Sequence, residues 1–264
     1  MKHIYLILVA LILVECSSTN PPADEVFSVN GVEFRMIYVE GGTFNMGTND
    51  TVDTYPRERP AHRVNVSSFY IAETEVTQEL WKAVMGNNPS NHSDYEQKPV
   101  ENVTWGDCQE FIARLNEITG KRFSLPTEAQ WEFAAIGGRK SKGYIFSGSN
   151  YPPEIGWIMD NSGNETHGVK EKNPNELGIY DMTGNVWEWC QDWYATDYYS
   201  FSPEDNPQGP DLDPNLPEDS VACHPVRGGG YSTVANRCRN THRAGIEPKI
   251  HALNYGLRLA LRIN

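Results

Sequence analysis

The stretch Gly178–Tyr194, which reads GIYDMTGNVWEWCQDWY, constrains the fold more than any other part of this 264-residue chain. Three tryptophans lie within seven positions, and the first two, Trp187 and Trp189, alternate with Glu188. This alternation predicts a strand with one buried face. The preceding residues, Asp181–Asn185, have the composition of a tight turn. Because each buried tryptophan removes roughly 150–250 Å² of surface from water, we expect the strand at the centre of a domain.

The same stretch carries oxygen atoms that can bind a cation. Asp181 and Glu188 flank the turn, which frees the backbone carbonyls of Gly184 and Val186. Two carboxylates and two carbonyls suit a hard cation such as Ca²⁺. The alternative is that Asp181 caps the turn and Glu188 pairs with an arginine. Spacing alone leaves both interpretations open.

The N-terminus reads as a targeting segment, residues 1–16, and not as part of a fold. Lys2 precedes the apolar run Ile4–Val14, whose helix of about 16 Å is too short to span a bilayer core of roughly 30 Å. The run ends in a sequence that looks like a bacterial lipoprotein cleavage site, with Cys16 as the lipidated residue. We therefore expect an envelope protein anchored to the membrane through Cys16. Residues 17–26 would be a polar tether and residues 27–264 the domain. The alternative is an ordinary secretion signal.

The charge of the chain excludes some partners. It has 22 Lys and Arg against 35 Asp and Glu, a formal net charge of −13. Such an acidic surface disfavours nucleic acid and anionic lipid as ligands. The length remaining after the targeting segment is enough for one large domain.

Three helices have well-defined predicted ends. Thr77, Thr104 and Thr127 have the side chains and positions of N-caps before periodic apolar residues. Gly86 and Gly120 follow the first two helices and predict their ends.

The remaining sequence predicts strands and loops. Val32–Val39 alternates as a strand, Thr43–Met46 would be its hairpin partner, and Val64–Ile71 would form another strand. Thr51–Pro60 reads as a polar loop. Together with the helices, these elements predict an α+β domain with much irregular structure.

Several blocks of the sequence resemble the formylglycine-generating enzyme family, also called the sulfatase-modifying-factor family. In chain order these blocks are Glu40–Gly47, Glu75–Thr77, Pro99–Trp105, Leu125–Ala135, the opening stretch, Arg227–Gly230 and Tyr255–Arg258. The resemblance covers nearly all of the chain after about residue 30. It implies one irregular α+β domain, related to C-type-lectin-like folds. It also implies a structural calcium site at the positions matching Asp181, Gly184, Val186 and Glu188.

The resemblance implies a chemistry that this chain can supply only in part. The family oxidises a cysteine of a sulfatase to formylglycine with O₂ and copper, and two cysteines hold the copper. Counted from Arg227–Gly230, the second of these cysteines is Cys238, but the first position is Thr233. The family's serine in this block is Gly230. Soft thiolate pairs select Cu(I), and a threonine hydroxyl does not replace one. Cys238 is catalytic only if the chain is active.

The other cysteines have a structural interpretation. An exported protein meets an oxidising compartment, where four thiols permit three pairings. We favour a disulfide between Cys190 and Cys238, while Cys108 is expected to stay a free core thiol. Cys190 or Cys223 could also replace the missing copper ligand.

Two functions therefore remain, together with a weaker third. The first is a non-catalytic binding or scaffold protein, a pseudoenzyme, whose groove near Trp187 and Arg227–Arg243 takes an extended peptide, a sulfatase or a glycan. His242, near Arg239 and Arg243, could line a cleft, but the sequence favours an ordinary loop histidine. The second is an active formylglycine-generating oxidase that uses Cys238 with another ligand. The third is an iron-dependent oxidoreductase, for which clustered His and carboxylate ligands are not evident.

Overall fold

A computed structural model describes residues 22–211 and 222–263 of this protein, and their regular structure consists of short strands, three α-helices and five short 3₁₀ helices. The strands in chain order are β1 (Glu25–Val29), β2 (Val32–Val39), β3 (Gly42–Met46), β4 (His62–Val66), β5 (Phe69–Ala72), β6 (Phe123–Ser124), β7 (Trp187–Trp189), β8 (His224–Arg227), β9 (Ala244–Ile246), β10 (Tyr255–Gly256) and β11 (Ala260–Arg262). Long loops connect these elements, so the predicted α+β class with much irregular structure is confirmed.

The strands of the described residues form three sheets. The largest has five strands in the order β1-β2-β5-β11-β6, and its neighbours are antiparallel. The second has the order β10-β7-β8-β9, with β10 parallel to β7 and the other pairs antiparallel. The third is the antiparallel pair β3-β4. The tryptophan-rich strand β7 therefore lies inside the second sheet.

The three helices are α1 (Gln78–Met85), α2 (Trp105–Thr119) and α3 (Glu128–Ala135). Each begins after a threonine whose side chain accepts a hydrogen bond from a backbone N–H of the first turn. The first two helices end at glycines in the left-handed conformation, Gly86 (φ 79°) and Gly120 (φ 66°). The predicted helices and caps are confirmed.

The described core has two main clusters and a small third one. Helices α1 and α2 pack against the five-stranded sheet around Trp81, Phe111 and Trp189. Helix α3 packs against the β3-β4 pair around Trp131. The third cluster contains Phe146, Ile155, Ile158 and Cys238.

The pairing of the strands corrects two expectations. Thr43–Met46 is not the hairpin partner of β2, because β3 pairs with β4, while β2 lies between β1 and β5. The predicted strand Val64–Ile71 is two strands in different sheets, separated at Ser67–Ser68. Ser68 lies outside both strands, and its side-chain hydroxyl accepts a hydrogen bond of 2.9 Å from the N–H of Gly41.

The described residues begin at residue 22, so they include only part of the predicted N-terminal tether. The targeting segment, residues 1–16, and Cys16 lie outside them. The tether predicted over residues 17–26 overlaps β1, which begins at Glu25, so the folded domain starts before residue 27. Across residues 22–211 and 222–263, no helix has the length and apolarity that a membrane crossing needs.

Candidate functional site

The strand β7 is buried on both faces, not on one. Trp187 and Trp189 are 8% and 0% exposed, and Glu188 between them is also fully buried. Both oxygens of the Glu188 carboxylate face the Arg258 guanidinium, at 2.7 to 3.1 Å, and the Trp131 indole N–H donates to it at 2.7 Å. The charged residue thus enters the core because a buried arginine neutralises it.

The predicted calcium ligands have unequal surroundings. One oxygen of Asp181, Oδ2, accepts the backbone N–H of Lys170 at 2.9 Å, whereas Oδ1 is buried without a hydrogen-bond partner. Burial and the charge of Glu188 raise the pKa of Asp181 to about 6. A buried, unpaired carboxylate oxygen fits a cation. Glu188 fits less well, because Arg258 and Trp131 already occupy its oxygens. The pairing of Glu188 with an arginine, the alternative derived from the sequence, is present.

A third buried carboxylate lies near this pair. Glu75 accepts hydrogen bonds from the Asn185 side chain at 2.7 Å and from the Val186 N–H at 3.1 Å. Burial and the charges of Asp181 and Glu188 raise the pKa of Glu75 well above its usual range. No group of three or more His, Cys, Asp or Glu side chains within the described ranges is arranged to hold a metal ion. The predicted calcium site, with two carboxylates and two carbonyls, therefore stays a prediction.

Cys238, the single cysteine at a predicted copper position, is sealed in the third core cluster. It is 0% exposed, and a Cβ atom at Gly229 would lie only 2.3 Å from its sulfur. Burial raises the pKa of the Cys238 thiol to about 12. At neutral pH this residue is a protonated thiol, not the thiolate that binds metals or attacks substrates.

Thr233 cannot complete a copper site. Its hydroxyl accepts a hydrogen bond of 3.0 Å from the N–H of Gly230, and its carbonyl lies 3.8 Å from the Cys238 sulfur. Cys190 is a free, buried thiol in the cluster around Trp131, whereas Cys238 is a free thiol in another cluster. The predicted Cys190–Cys238 disulfide is therefore wrong. The donors present do not fit a two-thiolate copper site.

An open cleft of about 680 Å³ lies where the groove was expected. Its lining consists of Tyr55, Arg57, Met159, Trp187, Val226, Ser232, Thr233, Val234, Asn236, Arg237, His242, Ala244, Ile246, Asn254 and Tyr255. Segments that are distant in the sequence meet here: the loop before β4, the loop that carries Met159, strand β7, the β8-β9 region and the start of β10 with the residue before it. Two apolar side chains, Val234 and Met159, are 41% and 51% exposed in this cleft. It therefore presents aromatic, apolar and amide groups to solvent.

A buried carboxylate, Glu58, holds one wall of the cleft together. It accepts two hydrogen bonds from the Arg239 guanidinium, at 2.7 and 2.8 Å, and one from the Thr241 hydroxyl at 2.7 Å. The His242 ring lies 3.3 Å away, and the Tyr55 N–H donates at 3.1 Å. Although burial alone would raise the pKa of Glu58, these hydrogen bonds hold it well below its usual range. Glu58 is thus an ionised anchor behind the cleft.

The cleft was predictable from the sequence only in part. Trp187 lines it as expected, whereas His242, for which an ordinary loop position was favoured, lines it too. Thr51–Pro60 was expected to be a polar loop, yet Tyr55 and Arg57 of this loop line the cleft and Glu58 is fully buried. The local sequence contains no signal that Glu58 meets a residue 181 positions later.

Comparisons with known proteins agree with this architecture. The family model of the sulfatase-modifying factor enzyme 1-like domain matches residues 24–263. The chain is 34% identical over 211 residues to the chaperone protein LppX of Paenibacillus barcinonensis, covering 61% of this chain and 72% of the relative. It is 35% identical over 178 residues to the formylglycine-generating enzyme of Streptomyces coelicolor, covering 61% of this chain and 52% of the enzyme.

Solved structures support the same fold. Treponema denticola variable protein 1 superimposes with a TM-score of 0.82 at 33% identity, covering 92% of this chain and 100% of the other. Some curated relatives are longer, and this chain spans 38% of the serine/threonine-protein kinase pkn1 of Chlamydia pneumoniae. The matched family model nevertheless covers almost all of the described residues. The chain therefore belongs to the sulfatase-modifying factor enzyme 1-like family, whose members include formylglycine-generating enzymes.

Proposed function

We propose that this chain is a non-catalytic member of its family, a binding protein of the bacterial cell envelope that holds an extended peptide in the cleft around Trp187. The observation that carries the proposal is the isolation of Cys238. The sulfur is buried behind Gly229, and the residue at the partner position is Thr233.

The loss of copper chemistry follows from the donors. A Cu(I) site open to dioxygen and a substrate thiol needs soft ligands, and thiolates provide them. Cys238 offers one sulfur, and its thiol pKa of about 12 keeps it protonated at neutral pH. The Thr233 hydroxyl is a hard oxygen and already accepts the Gly230 N–H. An active oxidase would need a second sulfur at this place.

The binding function is supported by the open cleft and by one relative. Extended peptides bind in grooves that combine apolar contacts with groups that pair with the backbone. Trp187, Val234 and Met159 offer the apolar contacts, and Asn236 and Asn254 offer amide groups. The Paenibacillus relative is called a chaperone protein, a name consistent with binding other proteins.

A Cu(I) titration and a turnover assay test the loss of catalysis. The protein would be titrated with Cu(I) against a competing chelator, then incubated with Cu(I), O₂ and a cysteine-containing sulfatase peptide. We expect no stoichiometric Cu(I) and no aldehyde in the product mass. Thr233→Cys, which restores the thiol pair of the family, should gain Cu(I) affinity. Aldehyde formation by the wild-type protein that disappears in Cys238→Ser would overturn the proposal.

The proposed membrane anchor rests on the sequence around Cys16, and a separate experiment tests it. Metabolic labelling with an alkyne fatty acid should tag the wild-type protein expressed in a bacterium. Cys16→Ser should remove both the label and the protein from the membrane fraction. Cys108→Ser, in the core of the domain, should keep the label. An unlabelled wild-type protein would contradict the anchor.

A further inference from the structure

Two arginines without acidic partners among the described residues, Arg57 and Arg237, line the cleft. The Arg57 guanidinium lies 4.7 Å from the centre of the Tyr55 ring, and that of Arg237 lies 5.7 Å from it. Nε of Arg237 also donates to the Tyr55 hydroxyl at 3.1 Å. The ion pairs of the described residues include neither arginine. Both cations are thus held at one ring without a neutralising carboxylate.

The surroundings make this arrangement unusual for the protein. Its formal net charge is −13, yet the described residues that line the cleft include no Asp or Glu. Buried arginines elsewhere, such as Arg227, Arg243 and Arg258, each face a carboxylate. The cleft is therefore a positively charged place on an acidic molecule.

One atom of this pair lacks an acceptor. Nε of Arg57 is buried and has no hydrogen-bond partner. A buried N–H of a charged group without an acceptor is costly, and two like charges near one ring repel each other. An anion bound at the accessible N–H groups of the two guanidinium groups would reduce this repulsion. Guanidinium groups bind carboxylates with paired, nearly parallel hydrogen bonds, so a carboxylate suits this place.

The remaining lining suits the chain that would carry the carboxylate. The aromatic faces of Trp187 and Tyr255 and the exposed Val234 can pack against an apolar side chain. The Asn254 amide already donates to the Ser232 hydroxyl at 3.2 Å, which orients both groups in the cleft. Amides so placed can pair with the backbone of an extended peptide.

We propose that the cleft selects an acidic peptide: an extended segment with an Asp or Glu side chain at Arg57 and Arg237 and an aromatic or apolar side chain beside Trp187. This inference rests on the proposed function, because it specifies which peptide the binding protein takes. The overall charge of the protein disfavours anionic partners, so the recognition is local to these two arginines.

A displayed library of random octapeptides tests the proposal with the full-length protein. Wild-type protein would be compared with Arg57→Gln/Arg237→Gln. A matched control, Arg63→Gln/Arg114→Gln, also removes two positive charges, from exposed arginines on other parts of the surface. Thermal unfolding of all three proteins would confirm that each is folded. Synthetic copies of enriched peptides would then be titrated at low and high salt.

We expect enriched peptides to contain Asp or Glu near an aromatic or apolar residue. They should bind the double cleft variant at least about tenfold more weakly than the wild type and the control, and more weakly at high salt. Enrichment of neutral or basic peptides that bind the wild type and the double cleft variant equally would overturn the acidic specificity and leave the peptide-binding function standing. No enrichment by the wild type over the bare capture surface would overturn both.

Discussion

A Cβ atom at Gly229 would lie 2.3 Å from the sulfur of Cys238, so the backbone of the Arg-Gly-Gly-Gly block covers the thiol. Gly229 has a φ of 78°, a conformation that residues with a Cβ rarely adopt. The contact and the conformation together explain why glycine is needed here. The thiol consequently faces the protein interior, and Cys238 is not among the residues that line the cleft, although its neighbour Arg237 is.

The covered Cys238 should be chemically inert in the folded protein. Since burial raises its thiol pKa from 9.0 to about 12, its thiolate fraction at neutral pH falls about a thousandfold. Iodoacetamide labelling followed by peptide mass analysis should show Cys238 unmodified in buffer and fully modified in denaturant. Rapid, stoichiometric labelling of native Cys238 would refute this placement and reopen the question of a metal-binding thiol.

Glu58→Gln should destabilise the protein strongly. The substitution leaves the buried Arg239 guanidinium without its carboxylate, and breaking such a pair costs roughly 3–5 kcal/mol. Glu204→Gln is the matched control, because it breaks the exposed pair with Arg63 and should cost about 1 kcal/mol or less. Urea unfolding gives both free energies. Equal small losses for the two variants would show that Glu58 does not anchor the cleft wall.

The sign of the pH dependence at Glu58 follows from its lowered pKa. The unfolded carboxyl titrates near 4.5, and the folded one titrates well below that. The stabilisation is therefore present above about pH 4.5 and is lost as the pH falls toward the folded pKa. The difference in unfolding free energy between wild type and Glu58→Gln should shrink below pH 4.5.

The helices could be predicted from the sequence because their signals are local. Thr104 and Asp107, three residues apart, form the reciprocal hydrogen bonds of the N-cap at which the helix begins, and Gly120 ends it. The strand pairing depended on contacts between distant residues. Gly41 packs so closely on Val66 that a Cβ would lie 2.5 Å from the Val66 carbonyl oxygen. The alternating pattern of Val32–Val39 does not predict this contact between Gly41 and Val66.

The candidate site was also predictable only where its signals are local in the sequence. The resemblance to the family located Thr233 and Cys238, because the motif counts positions along one segment. It did not locate Arg57 and Arg237, whose guanidinium groups both lie against the Tyr55 ring. Such a charge cluster depends on a loop that folds back over β8 and β9, and only the three-dimensional structure places it.

Asp192→Asn should stabilise the protein at alkaline pH. Asp192 is 4% exposed and accepts the Glu128 N–H at 2.8 Å, which an Asn oxygen can also do. Burial, together with the charge of Glu128, raises its pKa to about 8, although Arg243 opposes the shift. The folded state therefore binds a proton that the unfolded state releases near pH 3.8. This contribution is full below pH 3.8 and is lost as the pH rises through 8.

Urea unfolding at several pH values measures this effect. The free energy of unfolding of Asp192→Asn minus that of the wild type should rise steadily as the pH increases from about 4 to about 8. Above pH 8 the difference should level off. Two parallel curves across this range would mean that Asp192 titrates normally in the folded protein.

A calcium response would decide between the two interpretations of the turn before β7. If Ca²⁺ binds only the native state, its addition must raise the unfolding temperature, and EDTA must lower it. The buried, unpaired Oδ1 of Asp181 supports this expectation, whereas the Glu188–Arg258 pair supports a turn that needs no metal. We expect EDTA to destabilise the wild type and to leave Asp181→Ala unchanged. Asp94→Ala, at an exposed acid, should keep the wild-type response. If the wild type unfolds at the same temperature in EDTA and in Ca²⁺, then Arg258 alone neutralises this buried acidic group.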